Sequence, residues 1–355
     1  MYNKYVAKAF IFFKREFMKR LLLILLCLTL VCSLFGACNP SEHNFSNEWS
    51  YNETHHWKAC KDIGCEEKGE YAEHVFENLE CECGATKIAP QNAMSAILNA
   101  QDNQTLLLAR GNYGVFALYT EAKGVRLVFE KGSTVNMITI GEKLTGISIE
   151  NLTFRGNLVI GAELDGFTLK GCSFSGDVQI ASNTSEDVWL KDIVIDDCKF
   201  VDISAGNGGK LTAIKLQRTE NFTLTNCLFD NVQYNCVQFP GGKVGEIVDG
   251  DIVGFSPSLK GDIKITGNTF RYTGVRVLNL NLIEATTCDI SGNTFYLHEY
   301  SWNGAYIDID VGASGVVIGV NTWEVIPEES EKNFLFWDLG AYTYDPTEQL
   351  LLELD

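Results

Sequence analysis

The sequence predicts an all-β chain whose short strands stack coil upon coil, and three observations lead there. A nine-residue pattern recurs seven times between residues 146 and 323, with apolar residues at positions 2 and 4 and an aromatic at position 9. One copy reads Gly166-Phe167-Thr168-Leu169-Lys170-Gly171-Cys172-Ser173-Phe174. The closing aromatics, Phe154, Phe174, Phe200, Phe229, Phe270, Phe295 and Trp323, lie 20, 26, 29, 41, 25 and 28 residues apart. A second short strand follows most copies: Leu158–Ile160, Val178–Ile180, Ile214–Leu216, Val237–Phe239, Leu278–Leu280 and Ile307–Ile309. Composition is the third observation. With 46% hydrophobic residues, 32 Gly and 6 Pro, the chain is globular, which excludes disorder, collagen and coiled coil. Strands this short at a period in the twenties suit a solenoid with coils about 4.8 Å apart, not an antiparallel sandwich.

Residues 1–37 read as an export signal. Met18-Lys19-Arg20 precedes the apolar run Leu21–Val31, whose length suits a signal core and falls short of a bilayer span. The run closes in Leu34-Phe35-Gly36-Ala37-Cys38, which resembles a bacterial lipoprotein signal, although Phe35 stands where Leu is usual. That resemblance implies lipidation at Cys38, a tether to the membrane that does not span it. Ordinary secretory cleavage near Ala37 and a retained anchor are the alternatives, and Met18 offers a second start. Loss of residues 1–37 removes six basic residues and one acid, taking the formal net charge from −18 to −23 over 318 residues. Such a balance argues against a nucleic-acid partner, because phosphate neutralisation needs clustered Lys and Arg.

Residues 38–86 read as a linker and a small Cys/His-rich module. Four of the five His (His43, His55, His56 and His74) and four Cys fall between positions 43 and 83. Its His-Trp-x-x-Cys and Cys-x-Cys-Gly motifs resemble a short Cys/His module found beside adhesion and repeat domains of bacterial surface proteins. So little apolar material needs metal or disulfides to hold a fold. Thiolate and imidazole suit tetrahedral zinc in a structural role. The candidate ligands are His56, Cys60, Cys65, His74, Cys81 and Cys83, two more than one site requires. Pairing among the four Cys competes, since exported thiols oxidise. Disulfides give no reason for clustered His, which favours zinc.

Residues 88–326 carry the repeat. Alternation turns the residues at positions 2 and 4 inward and the one between them outward. The 41-residue gap implies one coil with a long excursion, placed at Pro240–Ser258. Asn92–Ala100 reads as a short amphipathic helix, followed by a strand at Gln104–Leu108 and a turn at Arg110-Gly111-Asn112-Tyr113. With these features about two thirds of the chain resembles the right-handed parallel β-helix proteins of the pectin-lyase-like class. The resemblance implies a right-handed parallel β-helix whose N-terminal helix caps the open end. It implies no particular reaction, because one architecture hosts many activities.

Position 7 of the pattern holds Cys172, Cys198 and Cys227, then Asn268, Asn293 and Asn321. That is an inward corner ladder: Asn bonds the turns above and below, and Cys is a small buried filler. Residues 327–355 break the pattern, and the apolar Phe334–Trp337 reads as a C-terminal cap ahead of an acidic tail.

Sugar-cleaving members of that class work with two or three Asp on one face, or with Ca²⁺ and an Arg base. Either route needs carboxylates at a fixed separation. Outward slots of the second strand hold Lys215, Gln238, Asn279 and Asp308, with Asn281 and Asp310 two residues further on and Arg276 beside them. Asp308, Asp310 and Arg276 are therefore the catalytic candidates, and Lys215, Gln238, Asn279 and Asn281 the ligand-binding ones. The Asp-Asp, His-Gly and Arg-x-Lys motifs of polygalacturonase-like members are missing. A polyuronate would need bridging Ca²⁺ against a charge of −23, so neutral or amino-sugar polymers are electrostatically easier. The expectation is an exported, membrane-tethered bacterial surface protein whose β-helix binds or scaffolds, toward glycans. A polysaccharide lyase or glycoside hydrolase is the alternative.

Overall fold

The computed structural model describes residues 43–184, 187–206, 210–240, 246–248, 251–253, 256–280, 283–296, 307–309, 314–324, 334–336 and 342–351. The chain divides into two compact units between Ala85 and Thr86.

In the first unit, Phe45–Tyr51, His55–Cys60 and Lys68–Glu73 form a three-stranded antiparallel sheet. Asn52 closes the first hairpin: its side-chain oxygen accepts the backbone N–H of Thr54 at 3.0 Å and of His55 at 2.8 Å. The buried core consists of Cys81, Cys83 and Ala85, with Trp49 and Phe76 packed against it.

The second unit is all-β apart from one short helix among the described residues. Strands form three parallel sheets of ten, nine and nine strands, visited in the same order on each turn from Arg126 onward. One turn runs through Leu164–Lys170, Ser173–Gly176 and Ile180–Ser182 and returns to the first sheet at Leu190–Asp196. Each strand pairs in parallel with its equivalents one turn before and after, an arrangement that fits a β-helix. Pairing in the first sheet aligns Phe167, Ile193, Phe222, Ile263, Cys288 and Val316 in one buried row. Cys288, which has no reading in the sequence, is thus an apolar filler of that row.

Register turns the repeated aromatics into a stack. Ring centroids step from Phe154 to Phe174, Phe200, Phe229, Phe270, Phe295 and Trp323 at 4.4, 4.8, 4.7, 5.0, 5.2 and 4.2 Å. All these rings are buried and nearly parallel, so the strand spacing sets their separation. A ladder runs beside them. The Cys198 N–H donates to Cys227 Sγ at 3.4 Å, Cys227 N–H to Asn268 Oδ1 at 2.9 Å and Asn268 N–H to Asn293 Oδ1 at 3.0 Å. Asn293 N–H donates in turn to Asn321 Oδ1 at 2.9 Å, and Asn321 N–H to Gln349 Oε1 at 3.0 Å. Immediately before the ladder position the backbone turns left-handed, at Asn151, Gly171, Asp197, Asn226, Gly267 and Gly292. Asn, Asp and Gly are the residues that tolerate that conformation.

One detail differs from the sequence reading and two add to it. The strand expected at Val178–Ile180 lies at Ile180–Ser182, and the Gln179 N–H before it donates to the Asn157 side chain at 2.9 Å. Val159 therefore pairs with Ala181, and Gln179 stands outside the outward row. The described part of the excursion holds an antiparallel hairpin, Glu246–Val248 with Asp251–Val253. In the segment read as a cap, Phe334–Phe336, Tyr342–Tyr344 and Leu350–Leu351 each add a parallel outermost strand to one sheet. At the other end, helix Ala93–Leu98 buries Ala93 and Ile97, one turn apart, in the same core.

Phe200 lies mid-stack with ring neighbours on both sides, so Phe200→Ala is expected to lower stability by about 3–5 kcal/mol. Phe200→Leu, which keeps most of the volume, should cost less. Equilibrium urea unfolding of the two variants measures the difference.

Candidate metal centre

Four side chains of the first unit converge: His56, His74, Cys81 and Cys83, whose donor atoms all lie within 4.8 Å of one another. His74 Nδ1 is 3.4 Å from Cys81 Sγ and 3.3 Å from Cys83 Sγ. His56 Nδ1 is 3.4 Å from Cys81 Sγ and 3.4 Å from His74 Nδ1. A tetrahedral zinc with bonds of about 2.3 Å to sulfur and about 2.0–2.1 Å to nitrogen requires N···S edges of about 3.5 Å and N···N edges of about 3.4 Å. Four of the six edges therefore match those of a zinc tetrahedron, and the four side chains can bind a metal ion.

Local structure explains why they meet. His56 sits in the middle strand opposite Ala72, and His74 follows the third strand. Cys81 and Cys83 lie in a tight turn, in which Gly84 N–H donates to Cys81 O at 2.9 Å and Gly84 takes φ +87°. The outer contacts orient the imidazoles. His74 Nε2 donates to Asn52 O at 2.8 Å, which leaves the Nδ1 lone pair facing the thiols. His56 Nε2 lies 3.5 Å from Glu82 Oε1, and Trp49 meets its ring edge-on at 4.5 Å.

Burial raises the Cys81 thiol, but the Cys83 backbone N–H and the His74 ring outweigh it and bring it down to about 6. Burial pushes the Cys83 thiol up. At neutral pH the pair thus offers one ready thiolate and one protonated thiol. All nine cysteines among the described residues are free, so the disulfide alternative finds no bridge here.

The other two expected ligands belong elsewhere. Cys60 and Cys65 form a separate group with His43, whose Nδ1 is 3.9 Å and 3.4 Å from their sulfurs. His43 belongs to the sequence cluster, but the ligand set the sequence suggests does not include it. It is 17 and 22 residues from these cysteines in sequence, and only the pairing of Phe45 with Cys60 brings it near.

The expected sugar-facing residues lie in the third sheet of the second unit. Lys215, Gln238, Asn279 and Asp308 do share one row, each in register with the next. Lys215 and Gln238 are half-buried. Asn279 and Asp308, expected at a solvated outer face, are instead 1% and 4% exposed. A carboxylate withstands such burial only when compensated, and Asp308 Oδ2 accepts Asn279 Nδ2–H at 2.8 Å and pairs with Arg276 Nη1 at 2.9 Å. Arg276 Nε and Asn279 Oδ1 are buried without a hydrogen-bond partner. Asn281, Asp310 and the lipidation candidate Cys38 lie outside the described residues.

No protein-family model matches the chain, and no curated protein or solved structure matches it. Among the described residues no helix is long and apolar enough to cross a membrane.

Zinc binding needs both thiolates, so affinity rises with pH. Cys81 already lacks its proton above about 6, so at pH 7 the two thiols should release about one proton per zinc, and about two below pH 6. Calorimetry in buffers of different ionisation enthalpy counts those protons.

Proposed function

We propose that the chain is a lipid-tethered surface protein whose second unit, a right-handed parallel β-helix of the pectin-lyase-like kind capped by its N-terminal helix, binds glycans and acts as a scaffold. Zinc holds the Cys/His module in a structural role. The observation that carries the binding reading is the pair of unmet polar atoms beside Asp308. A sugar hydroxyl both accepts and donates, which suits an N–H donor beside an amide oxygen, and it reaches these two buried atoms once the turn over them opens. Lys215 and Gln238 continue the same row along the stack.

The pairing of Asp308 favours anchoring over acid–base work. Its oxygen already serves a guanidinium and an amide, whereas a general acid or base must exchange a proton with substrate. The acidic surface favours neutral or amino-sugar chains over polyuronates. For the module, the tetrahedral edge lengths and a buried core of three residues support zinc over any metal-free fold.

Binding is tested by calorimetry of the purified chain against neutral and amino-sugar oligosaccharides, with and without Ca²⁺. Asn279→Ala is expected to weaken binding about tenfold, the equivalent of one lost hydrogen bond to a buried group. Absence of binding to every sugar overturns the reading. Release of reducing or unsaturated ends that Asp308→Asn abolishes establishes the lyase or hydrolase alternative in its place.

Tethering is tested separately. Cells fed an alkynyl fatty acid should label the chain, and Cys38→Ala should abolish the label and move the protein out of the membrane fraction.

A further inference from the structure

We propose that the Cys/His module holds a second thiophilic divalent ion, of the zinc class, on His43, Cys60 and Cys65, with a fourth coordination position open to water or an added ligand. The three donor atoms lie within 4.8 Å of one another. The His43 Nδ1 to Cys65 Sγ distance of 3.4 Å is close to the N···S edge of a zinc tetrahedron, and that to Cys60 Sγ, 3.9 Å, is slightly longer. The four-ligand group is complete without these side chains, so they are not spare ligands for it. Six candidates that are too many for one site become two sites once His43 is included.

Backbone bonds bring the three donors together. Cys60 ends the middle strand, and the turn after it closes through the Cys65 N–H donating to Asp62 O at 3.0 Å, with Gly64 at φ +78°. The segment carrying His43 is tied to that turn twice. Lys61 N–H donates to Asn44 O at 2.7 Å, and Asn44 N–H donates to Asp62 Oδ2 at 3.3 Å. Two thiols and an imidazole are thus brought together by a hairpin end, a turn and a lead-in strand.

The two groups differ in a way that bears on their chemistry. His56, Cys81 and Cys83 are buried and, with His74, close a tetrahedron, the arrangement of a structural site. His43, Cys60 and Cys65 are all half-buried and supply three ligands, which leaves the ion one place for an outside donor. Binding there expels the Cys60 and Cys65 thiol protons to solvent, and no oxidant or reductant enters. Asp62 Oδ2, 3.4 Å from Cys60 Sγ, accepts the thiol hydrogen bond when this second position holds no ion.

The test counts zinc on the full chain, purified with reductant, loaded and desalted. About two ions per chain are expected. His43→Asn and Cys65→Ser should each leave about one, and the retained ion shows that the module still folds. Cys81→Ser should also leave about one. With cobalt in place of zinc, added imidazole should shift the visible bands of the wild type and of Cys81→Ser, but not those of Cys65→Ser. One ion in the wild type that Cys65→Ser retains and Cys81→Ser loses overturns the second site alone. No ion at all in the wild type overturns both centres together. Cobalt bands that imidazole leaves unmoved in Cys81→Ser overturn the open position.

Discussion

A turn built of strands of two to nine residues cannot bury its own interior, because each strand offers only a few inward side chains. Burial comes from neighbouring turns, and parallel hydrogen bonds between equivalent strands fix those neighbours about 4.8 Å away and in register. Everything else in the second unit follows from that register. A residue chosen at one position must sit on its own equivalent above and below, so each position becomes a column with one shared packing solution. Seven aromatics satisfy it by stacking nearly parallel. At the adjoining corner, a side-chain oxygen or sulfur must accept the backbone N–H of the turn before it, and Cys, Asn and Gln349 all do so.

Columns of this kind leave a periodic trace, which is why the aromatic stack and the Asn/Cys ladder were legible from spacing alone. The left-handed corner is equally legible, since position 6 reads Asn, Gly, Asp, Asn, Gly, Gly through six copies. Where the period fails, reading failed with it. Strand Ile180–Ser182 lies two residues past the expected place, and in that register the Gln179 N–H meets the Asn157 side chain, a contact that no pattern of apolar residues encodes. The strands of the last turn carry no copy of the motif, yet Gln349 takes the place of the ladder Asn and also accepts the Trp323 indole N–H at 2.9 Å. Burial of Asn279 and Asp308 was illegible for a different reason: alternation assigns a face but not what lies over it.

The first unit obeys the opposite logic. It has no period and almost no apolar interior, so its geometry rests on hairpin turns and on polar ligands brought from distant positions. Residue types announced a group that can bind a metal, because imidazole and thiol together make a suitable donor set. The partition of ligands could not be announced. His43 meets Cys60 across an antiparallel pair, whereas His74 meets Cys83 within one turn of chain, and linear spacing ranks the second above the first.

Division of labour among the sheets accounts for how a polar constellation survives inside a stack. The aromatic column belongs to the second sheet and the ladder to the corner before it, while Arg276, Asn279 and Asp308 belong to the third. In a one-dimensional stack each turn touches only its neighbours, so the desolvation cost of the Arg276–Asp308 pair stays with the turns that carry it. Those same turns are held by Phe270, Phe295 and Trp323 on one side and by Asn268, Asn293 and Asn321 at the corner. The third sheet is therefore free to bury charge and to leave hydrogen-bonding capacity unmet without loosening the register. That separation of scaffold from site is what lets one column-built architecture present different chemistry on a single face.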